Sequence, residues 1–137
     1  PTGAFLSVEG SPFDFREMKK IGDGIHCDNA QLKLGGTYDH NFVINGDGLR
    51  EAAVLQSKES GIRMTCFTDQ PGVQLYVPCY TLHQKGIDGK DYPPYSAVCL
   101  ETQHYPNAIN IEHFPPVVLK AGENFRSKTL YHFSVMS

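Results

Sequence analysis

An all-β fold, an antiparallel sandwich or barrel, is predicted by the way short apolar runs recur along the whole chain between glycine, proline and asparagine turns. No helical periodicity persists long enough to compete with those runs. Residues 51–57 and 62–68 flank Lys58-Glu59-Ser60-Gly61, the spacing of a hairpin whose glycine takes a positive φ. A strand over 73–77 follows the Pro71-Gly72 turn, and further strands are expected at 97–103, 117–120 and 128–135. In the last of these, Tyr131, Phe133 and Val135 alternate against Leu130, His132 and Ser134. Residues 13–20, after Ser11-Pro12, suit a loop or a single helical turn, and the polar stretch from Gly86 to Pro94 reads as an exposed connection.

With 137 residues the chain fits one domain that can bury a core without disulfide staples. Its 40% hydrophobic and 20% charged content is that of a globular protein, far from the composition of disordered chains. A net charge of −3, with no local run of lysine and arginine, argues against nucleic acid as a partner. No apolar run approaches the length of a membrane span. Cys27, Cys66, Cys79 and Cys99 lie far apart, without a C-x-x-C pair or a histidine at zinc spacing, so no metal is expected. Cys66 and Cys99 fall within apolar runs, where a free thiol behaves as a small buried hydrophobe. Reduced thiols, with no signal peptide and no N-x-S/T sequon, point to the cytosol.

Three polar residues stand out beside turns or at strand ends. On a strand, Ala97, Cys99, Glu101 and Gln103 share one face, so Glu101 points away from Val98 and Leu100. A carboxylate so placed acts as a general base if a partly enclosed cleft raises its pKa toward neutrality, and is otherwise a surface glutamate. Asp39 follows Gly35-Gly36 and precedes Phe42-Val43-Ile44, which should enter the core; it either accepts hydrogen bonds from a ligand or satisfies backbone N–H groups of its own turn. The amide of Gln74 can donate and accept toward a hydroxyl, or cap a neighbouring strand. His40 beside Asp39 and His104 three residues after Glu101 form no dyad, because odd spacings on a strand point to opposite faces. His26, His83, His113 and His132 are dispersed, and no nucleophile elbow, P-loop or dinucleotide fingerprint is present.

Five motifs in fixed order carry a resemblance: Pro12-Phe13-Asp14-Phe15-Arg16; Tyr38-Asp39-His40-Asn41-Phe42; Gln70 to Tyr76; Leu100 to Pro106; and Phe114-Pro115-Pro116 with the closing Gly122-Glu123 and Lys128 to Phe133. Together they resemble the carboxyl-terminal half of the aldose 1-epimerase (galactose mutarotase) family over nearly the whole chain. The resemblance implies that residues 1–137 are part of one large antiparallel β-sandwich, a supersandwich, of which this chain is about half. It implies that Glu101 is the catalytic base and that Asp39 and Gln74 bind sugar hydroxyls. No metal or organic cofactor is implied.

In the family mechanism the glutamate takes the anomeric proton while a histidine protonates the ring oxygen. That histidine, a second sugar-binding histidine and an arginine belong to the family's amino-terminal half, so neither His40 nor His104 is assigned the role. The expected partners are a hexose such as galactose or glucose, and either the amino-terminal half or a second copy to cover open sheet edges. Where the family reads threonine, glycine, asparagine after Tyr76, this chain has Val77-Pro78-Cys79, which touches the local loop geometry and the sugar preference. Two other readings are a sugar or sugar-phosphate binding module of the same family, and a glycoside hydrolase using Asp39 and Glu101. The hydrolase would need its carboxyl groups about 5–5.5 Å or about 6.5–9.5 Å apart.

Overall fold

The computed structural model describes residues 1–80 and 82–136, with side chains throughout except at 82–84, so that of His83 lies outside the described residues. The elements are α1 (Ala30–Gly35), β1 (Asp39–Val43), β2 (Arg50–Ser57), β3 (Ile62–Thr68), β4 (Gly72–Tyr76), β5 (Leu82–Lys85), β6 (Asp91–Tyr92), β7 (Cys99–Gln103) and β8 (Thr129–Val135). Short 3-10 turns occupy Ile21–Asp23 and Ala108–Asn110. Among the described residues the regular structure is β apart from α1 and these two 3-10 turns. It divides into two compact units, one formed mainly by residues 41–74 and 100–137, the other by residues 2–40 and 75–99.

In the first unit β2, β3 and β8 form an antiparallel sheet with β3 in the centre. The β2–β3 hairpin turns at Gly61, whose φ of +71° is open to glycine at no steric cost and whose N–H donates to Ser57 at 2.9 Å. Register pairs Cys66 with Ala53 and Tyr131, and Met64 with Leu55 and Phe133, so the middle of one face of the sheet is apolar. Cys66 is wholly buried in it, and burial pushes its thiol pKa up.

The same unit holds parts of β1, β4 and β7, which form a sheet with β4 in the middle. Hydroxyls tie β7 to the other sheet: Thr102 meets Thr129 at 2.6 Å, and Thr129 meets Thr68 at 3.2 Å. The Tyr131 hydroxyl donates to the carbonyl of Leu100 at 2.9 Å, fixing the strand beside Glu101. The two threonine bonds satisfy part-buried hydroxyls that packing would otherwise strand away from water.

The second unit is organised around Tyr38, fully buried with its hydroxyl donating to the Pro12 carbonyl at 2.8 Å and the rings of Phe13 and Phe15 edge-on at 5.4 and 5.3 Å. Burial pushes its pKa up to about 12, with the nearby Cys27 adding to the effect. Thr37 donates its hydroxyl to Val77, whose N–H returns to Tyr38, both at 2.9 Å. Helix α1 begins at Asn29, whose side chain accepts from the Gln31 N–H, and ends at Gly36 with φ +70°.

Several expectations change. Residues 117–120 form no strand; Pro115-Pro116 immediately before them lack ladder donors, and Val117, Val118 and Leu119 lie exposed. The strand expected from Ala97 begins only at Cys99, and Val98 is exposed. Phe42 and Ile44 are half-buried as expected, but Val43 is exposed. Residues 13–20 hold turns and bends, in keeping with the loop expected there, whereas the mostly exposed Gly86–Pro94 stretch includes β6 and the turn joining it to β5. Both α1 and β1 went unforeseen.

Candidate functional site

Gln74 lies on β4 between Val73 and Leu75, which are 3% and 7% exposed. Strand alternation sends those two side chains to the buried face and turns Gln74, half-buried, to the other. Glu101 lies on β7, next to β4 in the sheet. Because Thr102 points at the threonines of the second sheet, alternation turns Glu101 away from it, and the carboxylate is exposed. Its charge reaches Tyr131: burial first, then the charges at Cys66 and Glu101, hold that phenol above its ordinary pKa. The first unit therefore brings Gln74 and Glu101 onto neighbouring strands.

Asp39 belongs to the second unit, where it heads β1 and is exposed. Its N–H donates to Nδ1 of His40 at 3.0 Å. In that unit the Tyr76 hydroxyl donates to Tyr80 at 3.0 Å. This bond, then burial and the charges of Tyr80, Cys79 and Asp39, push the Tyr76 pKa up to about 12. The Val77-Pro78-Cys79 departure thus sits between two tyrosines joined by their hydroxyls.

Two residues of the first unit escaped the sequence reading. Asn41, on β1, has a buried Nδ2 with no hydrogen-bond partner. Tyr131 anchors β7 through Leu100, a role that alternation on the last strand signals only by placing it on the Cys66 face.

A cavity of about 540 Å³ also opens in this unit, with Arg50, Asp69, His104, Tyr105 and Arg126 in its walls; neither Gln74 nor Glu101 lines it. Two of its charged groups, Arg50 and Asp69, are already engaged. The Arg50 guanidinium donates to the carbonyls of Ile44, Asn45, Gly48 and Thr68, and Asp69 accepts from the Lys128 N–H. Those bonds hold the loop before β2 and the start of β8, so these two groups are structural. Among the described residues no cluster of three or more histidine, cysteine, aspartate or glutamate side chains is placed to hold a metal ion. No described helix is long and apolar enough to cross a membrane, and all four cysteines are free.

An antiparallel sheet protein presenting an amide and a carboxylate on adjacent strands is the class the geometry defines. The family model described as aldose 1-epimerase matches residues 1–132, and the chain belongs to that family. It is 40% identical to bovine galactose mutarotase over 98% of its length, which is 39% of the bovine protein, and 30% identical to the aldose 1-epimerase of Escherichia coli strain K12 over a similar span. Among solved structures, the aldose epimerase homologue from C. elegans superposes with a TM-score of 0.84 at 30% identity, covering all of this chain and 41% of that one. Galactose 1-epimerase from Lactobacillus acidophilus gives 0.80. The fold is the one these relatives share. The chain spans about two fifths of the length of the curated relatives it matches, rather less than the half expected.

Proposed function

We propose that this chain is the carboxyl-terminal part of one β-sandwich domain in an aldose 1-epimerase that interconverts the α and β anomers of hexoses such as galactose and glucose. The observation that carries the reading is the match of residues 1–132 to the family, with Gln74 and Glu101 on adjacent strands inside it. Glu101 takes the proton from the anomeric hydroxyl. The ring carbon–oxygen bond then breaks as a carbonyl forms, and a histidine from outside the chain gives a proton to the ring oxygen. Rotation about the bond to the carbonyl carbon and closure, with the protons returned, yield the other anomer. Gln74 and Asp39 hold sugar hydroxyls so that the anomeric centre meets the base. No cofactor takes part in this scheme.

The exposed carboxylate needs enclosure before it can act as a tuned base, and the apolar face of β3 and β8 needs cover. Ile62, Phe133 and Val135 on that face are 47%, 64% and 82% exposed. The polypeptide corresponding to the remaining three fifths of the relatives is the partner we assign to both tasks, ahead of a second copy. Free thiols accord with a cytoplasmic location.

Polarimetry with fresh α-D-galactose, corrected for spontaneous mutarotation, tests the reading. The 137-residue chain alone should show little or no turnover, because loss of the proton donor costs about 10²–10⁴-fold. Addition of the amino-terminal portion of a relative should restore it. Robust turnover by the monomeric chain would instead mean that a histidine within it supplies the acid.

A further inference from the structure

We propose that Asn41 is a further sugar-binding residue, its Nδ2–H donating to a hydroxyl oxygen of the bound hexose beside Gln74; this deepens the mutarotase reading and rests on it. The carboxamide nitrogen of Asn41 is buried and has no hydrogen-bond partner. Buried amide donors are nearly always satisfied in native proteins, so an orphan asks for an explanation, and a ligand oxygen is one that chemistry supplies. An apolar side chain of similar size would fill the same space without stranding a donor.

The surroundings are fitted to this amide. A Cβ on Gly72 would come within 2.5 Å of Asn41 Oδ1, 3.1 Å of its Nδ2 and 3.1 Å of Tyr105 Cδ1. Gly72 does not have a positive φ, so the glycine is there for room rather than for conformation. It keeps the β4 backbone bare where the amide lies.

Register then pairs this amide with the other. The Ile44 N–H donates to Pro71 at 3.0 Å, and continuing that antiparallel ladder along β1 and β4 sets Asn41 directly opposite Gln74. Directly opposite residues point to the same face, with Cβ atoms about 4.5–5.5 Å apart. Two carboxamides at that spacing offer donors and acceptors to adjacent hydroxyls of a pyranose, each of which itself donates and accepts. Neither β1 alone nor the Tyr38 to Phe42 motif alone reveals that pairing.

The test uses the isotope-labelled chain and its side-chain amide signals, Asn41 being assigned by its loss in Asn41→Asp. Titration with D-galactose should move the Asn41 Nδ2 signals together with those of Gln74. Asn41→Asp, which cannot donate, and Asn41→Leu, which removes the group, should each weaken galactose binding about three- to tenfold, the worth of one neutral hydrogen bond. In the complete enzyme the same factor should fall on KM with kcat little changed. Asn41→Leu should leave Tm unchanged or raised, since no existing bond is lost. Galactose-induced shifts at Gln74 or Glu101 with unaltered affinity in both variants would overturn the inference while leaving the mutarotase reading intact. A fall in Tm without loss of affinity would show that the amide serves the protein instead. Absence of any galactose response in the wild-type chain and in the complete enzyme would remove the sugar reading and this inference with it.

Discussion

Gly24 and Tyr38 should behave as one packing unit, and a double-mutant cycle measures their dependence. A Cβ at Gly24 would overlap the Tyr38 hydroxyl and press on Pro12 at 3.3 Å. The backbone there, at φ −110° and ψ −16°, accepts any residue. Without the clash, Gly24→Ala would stabilise by about 0.4–1 kcal/mol through the unfolded state. Overpacking costs about 1–3 kcal/mol, so a net loss of about 1–2 kcal/mol is expected. Tyr38→Phe removes the hydroxyl's bond to the Pro12 carbonyl, which keeps its bond from Lys19 Nζ, and so costs about 1 kcal/mol more. In the double variant the new methyl occupies the space the hydroxyl leaves, so the second change should add almost nothing to the first, a favourable coupling of about 1 kcal/mol. Urea unfolding followed by tyrosine fluorescence provides the assay, because the chain has seven tyrosines and no tryptophan to mask them. Additivity within about 0.5 kcal/mol would refute the reasoning. The outcome bears on function because Tyr38 immediately precedes Asp39, and its anchorage sets where β1 starts.

Glu101→Gln in the complete enzyme should lower kcat about 10²–10⁴-fold while galactose affinity changes only a few-fold, since the amide keeps the size of the side chain and cannot take the proton; near-normal turnover removes Glu101 from the base role. Burial holds the His40 pKa below 6.5, against a backbone hydrogen bond at Gln31 and the charge of Asp39, which raise it. The unfolded chain therefore takes up the proton first, and the stability that His40 contributes is complete above pH 6.5 and lost as pH falls through its lowered folded pKa. Urea midpoints at about pH 7.5 and about pH 5.5 should diverge in the wild type and converge in His40→Gln. Equal divergence in both would assign the acid sensitivity to another group.

What the sequence discloses about this fold is what local chemistry decides. The hairpin around Gly61 is legible because a positive φ singles out glycine, and β8 is legible because Tyr131, Phe133 and Val135 alternate over its full length. Helix α1 has a readable cap at Asn29 and stop at Gly36, but its six residues are too few for periodicity to assert itself. β1 hides for the opposite reason: Asp39-His40-Asn41 is polar on both faces, and only pairing with β4 makes it a strand. Residues 117–120 show the converse, an apolar run that alternation alone cannot turn into a strand after two prolines.

The site divides along the same line. Glu101 and Gln74 could be nominated from residue type and motif, whereas their neighbourhood is a product of strand order, which joins segments 27 residues apart in the chain. Asn41 marks the limit most sharply, since a buried donor without a partner is defined by what surrounds it. Within a motif it reads as one polar residue among several. Set against Gly72 and opposite Gln74, it is a donor held in place with its bond still to be made, and the oxygen that completes it should be the one that identifies the substrate.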